Sequence, residues 1–183
     1  MVALGSNATS RHGDPAATVE KALVELDRAG LRVVARSRLY RTPFVPAGGG
    51  ADVTNAAAVL STGLVPGAVM AVLHRIEADF DRSRATRWGT RTLDLDLLMV
   101  GEQVLPDLET FLAWQGLTVD EQRAQAPDAL ILPHPRMAER AFVLVPAAEV
   151  AADWRHPVLG RTLVELRDAL PAAEVAAVRA LGN

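Results

Sequence analysis

The sequence predicts an α+β sandwich in which helices pack on a mainly antiparallel sheet. Patterns typical of strands and helices follow the order strand, helix, strand, strand, helix, strand, and mostly helical patterns come after them. This mixed order is typical of α+β folds. The chain has 183 residues and no internal repeat or low-complexity tract, which is the length of one domain. We therefore expect a single domain over residues 1–183.

The first half of the chain supplies most of the predicted sheet. Residues 1–5 are typical of a short strand that ends in a turn at Gly5-Ser6-Asn7. Asp14 followed by Pro15 is a capping acid and a proline at the first helical position, so a helix begins there, and Gly30 ends it. Strands are also predicted over residues 31–40, 53–61 and 92–100, a loop over 42–52, and a helix from Pro66 to about Asp81.

The second half of the chain is predicted to be mostly helical. Residues 106–127 are polar with scattered apolar positions, which is typical of one or two helices on the surface. An extended turn is predicted over 131–136, a short strand over 142–146, and two C-terminal helices over 162–170 and 171–181.

Composition excludes several classes of protein. The chain has no cysteine, so it has no disulfide framework, zinc–thiolate site, iron–sulfur cluster or cysteine nucleophile. A net charge of -3 argues against a protein that coats nucleic acid. Lys21 is the only lysine, so no P-loop lysine is available and phosphate chemistry would depend on arginine and metal.

The sequence shows no pattern of a targeting or membrane segment. Residues 53–73 carry no charge, but their polar residues, glycines and proline indicate a strand, a turn and a helix instead of a membrane span. Residues 1–11 lack the pattern of a signal peptide. We therefore expect a cytoplasmic protein that binds neither a membrane nor nucleic acid.

Two aspartates on one predicted strand are candidate metal ligands. Successive side chains in a strand alternate between faces, so Asp94 and Asp96 share a face and lie about 6.5–7 Å apart along it. Neighbouring carboxylates repel unless a cation lies between them, and Mg²⁺ takes such ligands together with substrate phosphates. A half-solvated strand with an acidic face is the alternative explanation.

An arginine-rich segment precedes this strand and favours the metal explanation. Arginine contacts phosphate with two parallel hydrogen bonds, and such groups beside a metal site suit a nucleoside triphosphate with bound magnesium. A solvated helix end with surface ion pairs is again the alternative. The arginines concerned are Arg82, Arg84, Arg87 and Arg91.

Five segments resemble, in order, the 6-hydroxymethyl-7,8-dihydropterin pyrophosphokinase family of folate biosynthesis. The resemblance covers nearly the whole chain apart from residues 106–127. It implies a ferredoxin-like fold and transfer of the β,γ-diphosphate of ATP to the pterin hydroxymethyl oxygen, with release of AMP. The segments are VALGSN (2–7), YRTP (40–43), NAA (55–57), RWGTRTLDLDLL (87–98) and LPHPRMAERAFVLVP (132–146).

The resemblance also implies the residues of the nucleotide site. Asp94 and Asp96 would hold two Mg²⁺ ions on the triphosphate, and Arg82 and Arg91 would complete the catalytic set by neutralising phosphate charge. We find no general base other than the metal-activated substrate hydroxyl, with Asp96 as a candidate helper. The implied ATP contacts are His74, Glu77, Arg82, Arg84, Arg87, Trp88, Arg91, Leu97, His134 and Arg140.

A pterin is a flat, hydrogen-bonding ring, which needs aromatic faces and a polar rim. The resemblance implies aromatic contacts from Trp88 and Phe142 and both a donor and an acceptor from Asn55, although Phe142 alone is more typical of a core residue. The loop over 42–52 would act as a lid. The implied pterin contacts are Thr42, Pro43, Phe44, Val45, Val53, Asn55, Trp88, Asp94 and Phe142.

Some positions depart from the family pattern. Thr90 replaces a proline, Val53 an aromatic residue and His74 a glutamine, while Asp81 replaces a glycine and would weaken ATP binding unless Arg82 or Arg84 pairs with it. The stretch 105–129 is longer than the pattern. We predict that it is a helical surface insertion that folds over the nucleotide.

Three alternatives to this function are open. A ferredoxin-like RNA- or protein-binding module would need a basic and aromatic sheet face, whereas aromatic residues are only 4% of this chain. A metal-dependent phosphohydrolase could use the same aspartates, but Asn55, Trp88 and Phe142 favour a bound heterocycle. A homologue without catalysis is disfavoured because the aspartates and arginines remain. We expect a monomer.

Overall fold

The computed structural model describes residues 1–44, 50–80 and 92–182, and its centre is a six-stranded sheet. The strands pair antiparallel in the order β5-β1-β4-β3-β6, with β2 also paired to β4. This architecture confirms the predicted α+β fold. The strands are β1 (Val2–Ser6), β2 (Arg32–Arg36), β3 (Tyr40–Thr42), β4 (Val53–Ser61), β5 (Asp94–Leu97) and β6 (Arg179–Ala180).

Helices cover both faces of the sheet. On one face α1 and α2 enclose a core with the inward side chains of β1, β4 and β5. On the other face α5 and α6 bury a second core that includes Ala57 and Met99. The helices are α1 (Pro15–Arg28), α2 (Pro66–Asp79), α3 (Leu108–Gln115), α4 (Val119–Ala124), α5 (Ala141–Ala151), α6 (Leu163–Asp168) and α7 (Ala172–Ala177), with one 3-10 turn at Met137–Glu139.

The structure corrects several predicted boundaries. The strand predicted over 31–40 is two strands, because Ser37 interrupts the pairing: its hydroxyl accepts the Ala57 N–H at 3.0 Å. Strand β1 continues through Gly5 and Ser6, where a turn was predicted, and β5 is shorter than the predicted 92–100. The C-terminal segment is the helix α7 followed by the short strand β6.

The strand predicted over residues 142–146 is wrong, because this segment belongs to helix α5. The run Ala141–Ala148 is apolar almost throughout, and periodicity cannot distinguish a buried helix from a buried strand in such a run. Pro146 lies inside the helix, where its missing N–H removes one backbone hydrogen bond. Phe142 therefore stands on the first turn of a helix.

The stretch 105–129 contains two short helices, as predicted. Asp107 caps α3 by accepting the Thr110 N–H at 2.8 Å, and Thr118 and Glu121 form a reciprocal capping box at the start of α4. Within the described ranges, no helix has the length and the apolar character needed to cross a lipid bilayer.

The buried His156 makes the free energy of unfolding depend on pH. Burial lowers its pKa from 6.5 to about 4, and its Nδ1 accepts the backbone N–H groups of Val158 and Leu159. Between those pKa values the unfolded chain binds a proton that the folded protein does not. The contribution of neutral His156 to stability is therefore fully present above pH 6.5 and is lost as the pH falls towards 4.

We expect His156→Gln to flatten this dependence in urea unfolding measured at several pH values between about 5 and 7. Full protonation of the wild-type group would cost on the order of 3 kcal/mol. Burial also lowers the pKa of His134, but that group is present in both proteins and cancels from the comparison. Equal pH slopes for the two proteins would contradict the assignment to His156.

Candidate functional site

A row of residues crosses four strands on the sheet face that α5 covers. Tyr40 pairs with Asn55, Asn55 with Gly5, and Gly5 with Asp94. Directly opposite residues of antiparallel strands point to the same face. Asp96 follows Asp94 on the same face of β5. The sheet therefore brings the predicted pterin-reading amide and the predicted metal ligands onto one surface.

Asn55 presents its side-chain oxygen to the backbone of Gly5. Its amide is buried, and Nδ2 donates to Thr42 Oγ1 and, at 3.4 Å, to the Val53 carbonyl. A methyl group on Gly5 would lie 3.3 Å from Asn55 Oδ1 and 4.0 Å from Asp94 Cβ. The glycine keeps this space clear, and Oδ1 is directed into it as a hydrogen-bond acceptor.

Strand β5 holds both aspartates on the predicted face. Leu95 and Leu97 are buried in the core under α1 and α2, and the alternation places Asp94 and Asp96 on the other face. The Ser6 hydroxyl donates to the Thr92 carbonyl at 2.6 Å and so joins the end of β1 to the start of β5. The carboxylates are thus carried by a strand that is fixed at its start and by its pairing with β1.

Glu77 supports the outer edge of β5. This buried residue of α2 accepts the Leu95 N–H at 2.8 Å through Oε1. Leu95 lies between the two aspartates, so the contact fixes the backbone that carries them. The structure thus gives Glu77 a positioning contact, and its contact with ATP stays a prediction.

Two side chains from the turn before α5 face the aspartates. Burial lowers the pKa of His134, while the negative charge of Asp96 acts to raise it. Burial also lowers the pKa of Arg140, and Asp96 and Asp94 oppose that effect. The charge of Asp96 thus acts on both side chains, and the charge of Asp94 acts on Arg140 as well.

Hydrogen bonds fix the tautomer of His134. Its backbone N–H donates to the Leu98 carbonyl at 2.7 Å, and Nδ1 accepts the Arg136 N–H at 3.1 Å. A neutral imidazole whose Nδ1 is an acceptor carries its proton on Nε2. His134 can therefore donate Nε2–H to an anionic ligand.

Phe142 lies at the surface of the site instead of in the core. Its side chain is 40% exposed although α5 is mostly buried. The Arg140 guanidinium carbon lies 5.7 Å from the centre of its ring, within the range of a cation–π contact. An aromatic face next to a cationic group is thus available to a ligand. Phe44, at the start of the loop, lies so close to Gly50 that a methyl there would be 3.0 Å from its ring.

Other predicted site residues are not joined to this cluster. Leu97 is buried in the core on the opposite face of the sheet, so its side chain does not face the aspartates. His74 is exposed on α2. Arg82, Arg84, Arg87, Trp88, Arg91 and Val45 lie outside the described residues, as do Asp81 and Thr90.

Gly5 was not among the predicted site residues, because a turn was expected at this position. A glycine inside a strand signals the close approach of another group, and that signal was available once the strand was extended through Ser6. Glu77 as a support of β5 could not be found in this way, because its contact with Leu95 depends on how α2 packs.

The two aspartates fit a magnesium site that is completed by a substrate. No group of three or more His, Asp or Glu residues arranged to hold a metal occurs in the part of the chain that the structure describes. Mg²⁺ is commonly held by one or two carboxylates plus substrate phosphates. Asp94 and Asp96, on one face beside the cationic Arg140, match that kind of site.

Comparison with known proteins points to one family. The model of the family described as 7,8-dihydro-6-hydroxymethylpterin-pyrophosphokinase (HPPK) matches residues 1–152. A Pseudomonas aeruginosa protein named 2-amino-4-hydroxy-6-hydroxymethyldihydropteridine pyrophosphokinase is 40% identical over 172 residues, which cover 93% of this chain and 90% of the relative. A Methylorubrum extorquens protein of the same name is 40% identical over 154 residues, covering 82% of this chain and 80% of the relative.

Solved structures share the fold at low sequence identity. A chain described as HPPK-DHPS in complex with substrates superposes with a TM-score of 0.65 at 12% identity, over 92% of this chain and 42% of that one. A Plasmodium falciparum HPPK-DHPS triple mutant gives a TM-score of 0.64 at 15% identity, over 91% of this chain and 43% of that one. The present chain thus spans less than half the length of these two solved chains.

Proposed function

Since the chain belongs to the 7,8-dihydro-6-hydroxymethylpterin-pyrophosphokinase family and is a diphosphokinase of folate biosynthesis, we propose that the row from Asn55 to Asp94 is where its two substrates meet. The reaction transfers the β,γ-diphosphate of ATP to the hydroxymethyl group of 6-hydroxymethyl-7,8-dihydropterin and releases AMP. The observation that carries the proposal is the pairing of Asn55 and Asp94 with the same residue, Gly5.

The pterin end of the site is assigned to Asn55 and its neighbours. Asn55 Oδ1 accepts a hydrogen bond from an N–H of the ring, because Nδ2 is already directed to Thr42 and Val53. The ring is assigned to the position over Gly5, which has no side chain of its own, and Phe142 offers it an aromatic face. Pro43, Phe44, Val45 and Trp88 are assigned to the same pocket through the family resemblance.

The metal end of the site is assigned to Asp94 and Asp96, which would hold two Mg²⁺ ions when ATP is bound. Bound magnesium would neutralise phosphate charge and favour ionisation of the attacking hydroxyl. The strand fixes the two carboxylates, and Glu77 fixes the strand through Leu95. Because both carboxylates lie on the same face of the sheet as Asn55, the pterin and the triphosphate would be bound side by side on this face.

Phosphate charge is met by donors from two segments. His134 donates through Nε2, and Arg140 contributes a fixed positive charge. Arg82, Arg84, Arg87 and Arg91 are assigned to phosphate contacts through the family resemblance. We further propose that the chain acts as a single-domain monomer in the cytoplasm.

A product assay tests the function directly. Protein is incubated with ATP, Mg²⁺ and 6-hydroxymethyl-7,8-dihydropterin, and AMP is separated from ADP. We expect AMP to form only when pterin and magnesium are both present. Formation of ADP and free phosphate without pterin would contradict the proposal and indicate a phosphohydrolase, and absence of nucleotide turnover would contradict both.

A further inference from the structure

One side chain fastens helix α3 to the rest of the protein. Phe111 is the only buried residue of this helix and is completely inaccessible to solvent. Leu108 and Leu112 on the same helix are about half exposed. Eight residues are too few for a helix that is stable alone in water. The docking of α3 therefore depends on Phe111.

The surface that receives Phe111 is fixed to the protein core. The rings of Phe111 and His156 have centroids 5.7 Å apart, and Trp154 contacts His156 from another side at 5.8 Å. Trp154 Nε1 donates to the Gly101 carbonyl at 3.0 Å, just beyond the end of β5, and the Trp154 carbonyl accepts the Leu163 N–H at 3.1 Å. Phe111 thus packs against a segment that hydrogen bonds hold both to Gly101 and to Leu163.

The base of the insertion is tied to the turn that carries His134. Leu105 and Leu132 exchange both backbone hydrogen bonds, at 2.8 and 3.1 Å. Leu132 is fully buried in the core. Two residues after Leu132, the backbone N–H of His134 donates to the Leu98 carbonyl. A short segment that includes the α3 cap Asp107 is all that separates Leu105 from Phe111.

From these contacts we infer that Phe111 is a positioning residue for the nucleotide end of the site, because its docking on His156 holds Leu105, and Leu105 holds the turn that presents His134 to phosphate. The inference rests on the proposed function. It gives the insertion a mechanical role: the insertion need not touch ATP to affect its binding.

The test compares Phe111→Ala with Leu112→Ala, which shortens an exposed residue of the same helix. Calorimetry measures the Kd of MgATP, and the AMP assay measures KM for each substrate and kcat. Amide hydrogen exchange at Leu105 and Leu132 reports whether the two backbone hydrogen bonds between these residues have broken. For Phe111→Ala we expect faster exchange at both amides and a rise of roughly 10-fold in the Kd and KM of ATP, with the pterin KM unchanged.

Leu112→Ala should match the wild type in every measurement. Phe111→Leu keeps an apolar anchor, so it should fold if the alanine variant does not, and its ATP affinity should lie between those of the alanine variant and the wild type. Unchanged ATP affinity in a variant with faster exchange would overturn the inference, and so would an equal loss for ATP and pterin. Failure of the proposed function is read separately, from the absence of AMP formation by the wild type.

Discussion

Asp96→Ala is expected to abolish diphosphate transfer while the protein stays folded. Asp96 is half-buried on the sheet face that α5 covers, opposite the core that contains Leu95 and Leu97, so its removal leaves that core intact. The variant loses a proposed magnesium ligand and with it charge neutralisation on the triphosphate. Losing several kcal/mol of transition-state stabilisation corresponds to a fall of about 10³-fold or more in kcat.

The AMP assay measures this loss, and circular dichroism with a thermal melt checks the fold. Glu102→Ala is the matched control, because it removes an exposed acid shortly after the same strand and should leave turnover unchanged. Asp96→Asn keeps the size of the side chain and should also be inactive if charge is what matters. Retained turnover in Asp96→Ala would remove the metal assignment.

The variant Asp96→Asn should also change the pKa of His134, and this change can be measured without turnover. Because the charge of Asp96 acts to raise the pKa of His134 against the effect of burial, Asp96→Asn should lower that pKa further. The imidazole signal in an NMR titration would report this change. An unchanged titration would mean that Asp96 and His134 do not share the site, even if activity were lost.

The sequence predicted those parts of the fold that local chemistry specifies. The start of α1 was evident from Asp14 and Pro15, and the structure confirms the cap, with Asp14 accepting the Ala17 N–H at 2.8 Å. Strand β4 has the predicted bounds. Helix α5 could not be distinguished from a strand, because a run that is buried nearly all round has no polar face to mark its period.

The sequence predicted the part of the candidate site that lies on a single strand. It could not predict the part that depends on how strands pair with each other. Alternation along β5 was enough to place Asp94 and Asp96 on one face. The position of Gly5 between Asn55 and Asp94 depends on the pairing of β1 with two partners, which no local pattern specifies. The docking of Phe111 on His156 likewise joins residues that are far apart in the chain.

Asn55→Leu is expected to raise the KM for the pterin by about 10²-fold or more, with little change in the affinity for ATP. Leucine has a similar volume but no acceptor at the position of Oδ1, so an N–H of the ring would be buried without a partner. Thr42 Oγ1 also loses the amide that donates to it. Leaving buried polar groups unsatisfied costs about 1–3 kcal/mol each, which agrees with an effect of this size.

Gly5→Ala tests the same proposed pterin pocket by adding a methyl group to the strand that lies beneath it. The added methyl would lie 3.3 Å from Asn55 Oδ1, in the space that we assign to the ring, so pterin binding should weaken although every polar group remains. Ser61→Ala, at the exposed end of β4, is the control that should change neither KM. If both site variants raised the KM for ATP and spared that for the pterin, the row beside Asp94 would belong to the nucleotide, and the two ends of the site would have to be exchanged.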